Sequence, residues 1–195
     1  MNSTVSDTTT EAFRLAMRRF AATVSIISTT TEDGACHGMA ATAVTSLSMD
    51  PLSVLIAVNS TASLHGPLSE IGSYCVNVLH ATQRKQCEVF SSKKDREKRF
   101  DSGNWDIKSA KSPFLIDAQA NIFCTVERMV DCGSHTAFIG LVDEVRVDNS
   151  VAPLIYLDGG FLKETEAAFR LPHGVGAHGN DAKGNARQLE GIEWL

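Results

Sequence analysis

The segment His37–Pro51, which reads HGMAATAVTSLSMDP, combines small apolar side chains with hydroxyl groups. It contains three Ala and four Ser or Thr. If residues 38–48 form a strand, alternate side chains point to opposite faces. Small side chains would let a flat ring approach the backbone, where N–H groups and the hydroxyls of Thr42, Thr45 or Ser46 could bond a polar ring edge. An isoalloxazine ring has this shape and edge. Close packing of two strands or two subunits is the alternative.

A second polar segment, Asn59–Leu64 (NSTASL), follows the apolar stretch Ser53–Val58 and is expected to open a helix. Free N–H groups and the helix dipole attract anions to a helix N-terminus. The hydroxyl side chains of this segment would therefore suit the phosphate of a flavin nucleotide. Ordinary N-capping by Ser60 or Thr61 is the alternative interpretation.

Two further side chains could take part in chemistry near such a ring. His135 begins a segment whose alternate residues Ala137, Ile139 and Leu141 are apolar. A histidine on an apolar face is either a core residue with satisfied hydrogen bonds or a catalytic group. Tyr156, from the residues alone, is expected to be a packing residue with a tethered hydroxyl.

The first half of the chain must supply the elements that hold these residues. Thr8 and Glu11 have the spacing of a capping box, and Asp33-Gly34 is a tight-turn signal between two strands. The predicted elements, in order, are an amphipathic helix over 9–20, a hairpin of strands over 23–29 and 36–48, a buried strand over 53–58, a helix over 61–71 and a strand over 74–79.

The second half contains a charged helical region and then mostly strands. The predicted elements are one or two exposed helices over 82–99, a loop over 101–111, two long strands over 119–130 and 134–147 joined at Gly133, and a strand over 153–157. The strands follow one another with few helices between them, and no GxGxxG turn is present. We therefore expect a mainly β protein, an antiparallel barrel with small flanking helices.

Composition limits the classes of function. A chain of 195 residues suits one domain. We expect that domain over residues 1–163, followed by a Gly- and His-rich arm over 164–195.

The formal net charge of −5 disfavours a nucleic-acid binder. Five cysteines without CxxC spacing predict neither a disulfide framework nor a metal site, and fit the cytoplasm. No apolar run reaches the ~18–20 residues of a membrane helix, and the N-terminus lacks the features of a secretory signal.

The order of motifs over roughly residues 10–163 resembles the flavin reductase-like family. The segments that carry the resemblance are GMAATAVTSLSMDPLSVLIAVNSTASLH, YCVNVL, FSSKKDREKRF, GSHTAFIGLVDEV and PLIYLDGGF. The family contains the small reductase components of two-component flavin monooxygenases. The resemblance implies an antiparallel split β-barrel, the FMN-binding split barrel, with short flanking helices.

The resemblance also implies roles for individual residues. Thr42 and His135 would act in catalysis, with Thr42 near the N5 and O4 edge of the ring and His135 near the nicotinamide. His135 falls in Gly133-Ser134-His135, where the family usually has Gly-Asp-His, so an Asp–His pair is not expected. The implied flavin-binding residues are Met39, Ala40, Ala41, Thr42, Ala43, Ser46, Ser48, Asn59, Ser60, Thr61, Ser63, Phe90, Ser91, Arg99 and Tyr156.

The implied function is hydride transfer from NADH or NADPH to FMN or FAD, with reduced flavin passing to a separate monooxygenase. No Ser–His–Asp or paired-carboxylate arrangement is visible, and the cofactors would supply the chemistry. A homodimer is expected, with no nucleic-acid or membrane partner. A non-catalytic split-barrel flavin-binding protein and a pyridoxamine-phosphate-oxidase-like enzyme are the alternatives. The latter would need a basic cluster for its substrate phosphate.

Overall fold

The computed structural model describes residues 6–94, 96–149 and 151–162. The predicted arm over 164–195, and with it the expected domain boundary, lies outside the described residues. The α-helices are α1 (Asp7–Met17), α2 (His65–Ile71) and α3 (Arg84–Ser91), and short 3-10 helices span Ala81–Gln83 and Arg96–Asp101. The strands are β1 (Ala22–Thr23), β2 (Ser25–Thr30), β3 (Cys36–Ala41), β4 (Val44–Met49), β5 (Leu52–Asn59), β6 (Ser73–Val78), β7 (Trp105–Asp106), β8 (Phe114–Leu115), β9 (Ala120–Cys132), β10 (His135–Val147), β11 (Ile155–Leu157) and β12 (Gly160–Phe161).

The first helix begins earlier than the sequence pattern predicts. Its N-cap is Ser6, whose hydroxyl accepts a hydrogen bond from the Thr9 N–H at 3.2 Å. The predicted cap, Thr8, lies inside the helix. Ser and Thr are both favoured N-cap residues, so their types alone could not choose between them.

The predicted hairpin is confirmed, but its second strand is shorter than predicted. Strands β2 and β3 pair antiparallel from Ser25 opposite Ala41 to Thr30 opposite Cys36. Pairing ends there, because the chain leaves β3 and continues as β4 against β5. The prediction of one strand over 36–48 is therefore wrong. Two strands occupy that range, and they are separated by Thr42 and Ala43.

The main sheet has seven strands in the order β3-β2-β6-β9-β10-β5-β4. Its two edge strands, β3 and β4, are consecutive in the chain and joined only by Thr42 and Ala43. Three Cα–Cα steps span at most about 11 Å, so the sheet must curl until its two edges meet at this link. The edges are not hydrogen-bonded to each other in the sheet order. This is an antiparallel barrel with a split between β3 and β4, as expected from the sequence.

Two small sheets flank the barrel. Strand β11 pairs with β1 on one side and with β12 on the other, so that Tyr156 lies opposite Ala22 and Phe161. Strands β7 and β8 form a separate pair. The long β9–β10 hairpin turns at Gly133, whose φ of +64° suits glycine. No described helix is both long and apolar enough to cross a membrane.

Strand β2 separates two apolar clusters and is buried on both faces. Ile27 belongs to the cluster inside the barrel, with Ile56, Val58, Tyr74 and Phe138 among its members. Ile26 belongs to the cluster under α3, whose members include Val24, Leu79, Cys87, Phe90 and Leu115. The 82–99 region is therefore only partly exposed, because α3 covers the second cluster with its apolar face.

Candidate functional site

A groove of about 1240 Å³ lies where the barrel is split. Its floor comes from the link between β3 and β4 and from the start of β4, and α1 and the β1–β11 strands form its walls. The residues that line it are Glu11, Phe13, Arg14, Leu15, Met17, Arg18, Phe20, Ala21, Ala22, Thr23, Ser25, Thr42, Ala43, Val44, Thr45, Ser46, Val54, Val78, Ile122, Tyr156, Asp158 and Gly159. Four predicted flavin-binding residues are thus brought together here, namely Thr42, Ala43, Ser46 and Tyr156.

The link between the two strands offers backbone donors to the groove. The carbonyl of Ala43 accepts a hydrogen bond from Ala57 N–H at 3.1 Å. The N–H groups of Thr42 and Ala43 have no acceptor among the described residues. Both residues are exposed, so water or a ligand can satisfy these donors. A flat ring with acceptor atoms along one edge fits this link, because the adjacent alanine adds no bulk.

The hydroxyls near the link differ in whether the protein already uses them. Those of Thr42 and Ser46 have no hydrogen-bond partner among the described residues and are available to a ligand. The Thr45 hydroxyl donates to its neighbour's carbonyl, Ser46 O, at 3.3 Å. The Ser48 hydroxyl donates to the Asp50 carbonyl and accepts from the Asp50 N–H, each at 3.0 Å. Ser48 therefore stabilises the β4–β5 turn.

Strand β3 itself contributes backbone more than side chains. Met39 and Ala41 pack against the barrel cluster, and Ala40 packs against the cluster under α3. All three are half-buried. The side chains of β3 thus alternate between the two apolar clusters, as in a strand that is covered on both faces.

The wall formed by α1 was not foreseen as part of the site. Arg18 Nε pairs with Asp158 Oδ1 at 2.9 Å, and Arg18 also bonds the Asp158 carbonyl at 3.1 Å. The Asp158 N–H returns a bond to the Arg18 carbonyl at 3.1 Å. We call these three bonds the Arg18–Asp158 clasp. None of the α1 residues is buried. The apolar face of the helix, which includes Phe13 and Met17, is the feature of the sequence that could have indicated a cavity beside it.

The turn after β5 has a different structure from the one expected. Helix α2 begins only at His65, and its N-cap, Leu64, has no side chain to bond the first N–H groups. The expected helix start over 61–64 is therefore wrong, as is capping by Ser60 or Thr61. Asn59 Oδ1 instead accepts from the Thr61 N–H at 2.9 Å and from its hydroxyl at 2.7 Å. Any anion site here rests on the turn, and not on a helix dipole.

Within this turn only one predicted hydroxyl is unengaged. Ser60 bonds the Ser134 carbonyl through its N–H at 3.0 Å and its hydroxyl at 3.2 Å. Ser63 is exposed, and neither its hydroxyl nor its N–H has a partner among the described residues. The turn lies close to the link, because Ala57, the partner of Ala43, is two residues before Asn59.

His135 lies at the tip of the β9–β10 hairpin and is exposed. It is opposite Asn59 in the β10–β5 register, so it borders the turn and not the floor of the groove. Its Nδ1 is 2.9 Å from the Ser134 hydroxyl. The interpretation as a core histidine is wrong, because the buried residues of β10, Thr136, Phe138 and Gly140, lie on the face opposite to His135.

The predicted residues of the α3 region lie inside the protein. Phe90 is 1% exposed and contacts Phe100 and Trp105. Arg99 is 6% exposed and donates to the carbonyls of Gly38 and Ser92, each at 2.5 Å. Burial, and secondarily the charge of Arg96, lowers the pKa of the Arg99 guanidinium. Phe90 and Arg99 are thus buried and do not line the groove, contrary to the expected contact with flavin.

Ser91 is exposed, but its hydroxyl donates to the Cys87 carbonyl at 2.7 Å. It belongs to the last turn of α3. The Ser91 hydroxyl is therefore already used within α3, which does not support the expected contact with flavin.

A family model described as "Flavin reductase like domain" matches residues 17–165. The chain is 38% identical over 168 residues to the reductase component of FADH(2)-dependent resorcinol hydroxylase from Rhizobium sp. strain MTP-10005, covering 86% of this chain and 94% of that protein. It is 33% identical over 145 residues to FMN reductase (NADH) RutF of Pseudomonas syringae pv. syringae strain B728a, covering 74% and 81%.

Among solved structures, the Streptomyces globisporus C-1027 NADH:FAD oxidoreductase SgcE6, in complex with NAD and FAD fragments, superposes with a TM-score of 0.76 at 25% identity. The match covers 86% of this chain and all of that one. The chain thus shares its sequence pattern with the first two proteins and its fold with the third.

Proposed function

Because the chain belongs to the flavin reductase-like domain family, we propose that it transfers a hydride from NADH or NADPH to FMN or FAD. The observation that carries this proposal is the groove at the split, where small side chains and unbonded N–H groups meet at Thr42–Ala43. Relatives named NADH-dependent FMN reductase and NADH:FAD oxidoreductase support the same reaction.

The chain's part in the reaction is to hold two flat rings in contact. The bound nucleotides supply the redox chemistry, a hydride passing from nicotinamide C4 to flavin N5. Thr42 and Ala43 present their N–H groups to the ring edge, and the Thr42 and Ser46 hydroxyls add hydrogen bonds there. Positioning of this kind is a major source of rate, and fixed donors stabilise negative charge that develops on the ring.

The phosphate end of the flavin lies at the turn over residues 59–64. Ser63 supports this assignment, because its hydroxyl and N–H are exposed and unbonded among the described residues. The Asn59 side-chain amide is close by, and its N–H₂ group is also unbonded there. Ser60 and Thr61 shape the turn, while their hydroxyls are used within the protein.

His135 contacts the nicotinamide nucleotide in this proposal. It is exposed and lies opposite Asn59, next to the proposed phosphate end. Its ring can donate a hydrogen bond to the carboxamide or to the pyrophosphate. Tyr156, on the groove wall, packs its ring against the bound flavin.

We propose that the chain forms a homodimer. Large apolar side chains exposed on one chain usually mark a contact surface, and several such groups are present. They are Phe13, Leu15, Met17 and Phe20 on or just after α1, Leu47, Met49 and Leu52 on the β4–β5 hairpin, and Met129 and Val130 on β9. Light scattering at micromolar concentration should give twice the 21.0 kDa chain mass.

We also propose that reduced flavin passes to a separate monooxygenase in the cytoplasm. The resorcinol hydroxylase relative is named as the reductase component of an FADH(2)-dependent hydroxylase. A diffusible product suits the groove, which opens to solvent along the exposed Thr42 and Ser46.

The decisive experiment mixes flavin-loaded protein with NADH or NADPH in the absence of oxygen. We expect rapid loss of the oxidised-flavin absorbance, and steady-state turnover with FMN, FAD or riboflavin gives the preference. Binding of flavin without bleaching by either nucleotide would instead identify a non-catalytic flavin-binding protein. Oxidation of pyridoxamine phosphate would identify the other alternative.

A further inference from the structure

Three side chains next to the proposed phosphate turn form a continuous hydrogen-bond relay. His65 Nε2 is 2.9 Å from the Thr136 hydroxyl, and that hydroxyl donates to Asp131 Oδ1 at 3.1 Å. His65 is the first residue of α2, whereas Thr136 and Asp131 face each other on the β9–β10 hairpin. The relay therefore connects the end of the turn to the hairpin.

The chemistry of the groups fixes the direction of the relay. A threonine hydroxyl has one proton, and a carboxylate oxygen only accepts. Because Thr136 donates its proton to Asp131, His65 Nε2 must donate to Thr136. Thr136 is 5% exposed and the His65 ring packs edge-on against Phe138 at 5.6 Å, so both donors are held in a partly dry environment where a lost partner is costly.

The turn is thereby fixed at both ends to the same hairpin, β9–β10. At its start, Ser60 bonds the Ser134 carbonyl through N–H and hydroxyl. At its end, His65 bonds Thr136. Ser63 lies between these attachments, with its hydroxyl and N–H unbonded among the described residues. Two attachments to one hairpin determine where these donors point.

We propose that His65 and Thr136 are positioning residues that hold the Ser60–Leu64 turn in the geometry that binds the flavin phosphate. Asp131 orients the Thr136 hydroxyl and so belongs to the same device. The inference rests on the proposed function, because it assumes that a flavin phosphate occupies this turn. Neither side chain needs to touch the isoalloxazine ring, so the effect is specific to flavins that carry a phosphate.

The test compares FMN with riboflavin, which lacks the phosphate, in steady-state reduction by the full chain. Thr136→Val removes the hydroxyl at nearly constant volume and breaks the relay. We expect the KM for FMN to rise about tenfold, in line with the loss of one or two partly buried hydrogen bonds. The KM for riboflavin and the kcat at saturating flavin should each stay within twofold.

Three further variants keep the test decisive. His65→Gln retains a side-chain N–H donor and should keep the KM for FMN within about threefold, whereas His65→Leu should match Thr136→Val. Asp131→Ala removes the carboxylate acceptor from an exposed residue that does not support the core. It should raise the KM for FMN about two- to fourfold with no change for riboflavin, and it decides the question if Thr136→Val does not fold.

The hairpin supplies a matched control in Thr125→Val. The Thr125 hydroxyl donates to Asp143 Oδ2 at 2.6 Å between the same two strands, but away from the turn. This variant should leave both KM values unchanged. It separates loss of a Thr–Asp pair in general from loss of the pair beside the turn.

Equal changes for FMN and riboflavin in the Thr136 and His65 variants, or no change in either, would overturn the inference, since a purely structural role does not distinguish the two flavins. Failure of the wild-type chain to reduce any flavin with NADH or NADPH would instead refute the proposed function. If the wild type is active and Thr136→Val changes the KM values for FMN and riboflavin equally, only the positioning role is refuted.

Discussion

Strand β3 and the link that follows it show how differently neighbouring residues can use their hydrogen-bonding groups. Beyond the C-terminal end of β3, Thr42 and Ala43 line an open groove and leave two N–H groups unbonded among the described residues. Near its middle, the Gly38 carbonyl accepts from the buried Arg99, and Phe90 lies directly against the glycine. We call this second region, consisting of Gly38, Phe90, Arg99 and Ser92, the packed layer.

The comparison shows that residue type alone does not decide whether a polar group is available to bind a ligand. A guanidinium is a good hydrogen-bond donor to phosphate, but its removal from water costs free energy and requires acceptors inside the protein. Arg99 has two backbone acceptors, and its Nε has none within the part of the chain that the structure describes. The exposed N–H groups at the link carry no such cost, because water solvates them until a ligand binds. Variants in the packed layer should therefore change stability, and variants at the link should change binding.

The largest effect is expected for Arg99→Met. The substitution keeps much of the side-chain length but leaves the Gly38 and Ser92 carbonyls without their donor. Each unpaired buried acceptor costs about 1–3 kcal/mol, so the free energy of unfolding should fall by about 2–4 kcal/mol in urea titrations. The KM for FMN of the folded variant should stay within twofold.

Arg96→Met is the control for Arg99, because Arg96 is exposed on the same 3-10 helix. It should change the free energy of unfolding by no more than about 0.5 kcal/mol. If Arg99→Met raised the KM for FMN but not for riboflavin, the guanidinium would reach a flavin phosphate, and the distinction between the two regions would fail.

The next effect is expected for Gly38→Ala, again in the packed layer. An added Cβ would lie 2.7 Å from Phe90 Cε1 and 3.2 Å from the Ile27 carbonyl. Phe90 is held by neighbouring aromatic rings, and overpacking of this kind costs about 1–3 kcal/mol. Thermal unfolding should show the loss, and adding Phe90→Leu should recover part of it.

Gly66→Ala is the control, since an added Cβ there meets nothing within 4 Å. Gly66 lies in α2, where alanine is the better helix former. A stability loss equal to that of Gly38→Ala would show that the effect does not come from contact with Phe90.

Much of the fold could be predicted because it depends on local patterns. The β2–β3 hairpin follows from β-branched residues around Asp33-Gly34, and the β9–β10 hairpin follows from two long strand segments around Gly133. The break at Thr42–Ala43 could not be predicted in this way. It is imposed by closure of the sheet, a property of seven strands together, and no proline or glycine marks it.

The site shows the same limit. Thr42, Ala43 and Ser46 could be predicted from small size and hydroxyl content at one strand. Helix α2 begins later than predicted, because Ser60 and Thr61 suit a helix N-cap locally but are bonded to Ser134 and Asn59 instead. The role of α1 as a groove wall depends on the long-range Arg18–Asp158 clasp, for which the sequence gives no local signal.

At the groove, Thr42→Trp should weaken flavin binding with little change in stability. The indole would occupy the space above the link that we assign to the flavin ring. We expect the KM for both FMN and riboflavin to rise at least tenfold, about 1.4 kcal/mol, and the free energy of unfolding to change by less than about 0.5 kcal/mol.

Thr42→Val is the companion variant, because it removes the hydroxyl and keeps the shape. It should raise both KM values about threefold. Unchanged flavin affinity in the tryptophan variant would remove Thr42 from the proposed site, while a large loss of stability would mean that the link belongs to the packed interior after all.

The smallest effect is expected for Arg18→Ala, which opens the Arg18–Asp158 clasp. Both side chains are more than half exposed, and exposed ion pairs contribute only about 0.2–1 kcal/mol. Because α1 has no buried residue, the clasp is a substantial part of what fixes this wall of the groove. We expect a two- to threefold rise in flavin KM, equal for FMN and riboflavin, and added salt should move the wild type toward the variant by screening the pair.

Arg19→Ala, at an exposed neighbour without an ion pair among the described residues, should leave the KM unchanged. If Arg18→Ala also left the KM unchanged, α1 would keep its place without the clasp.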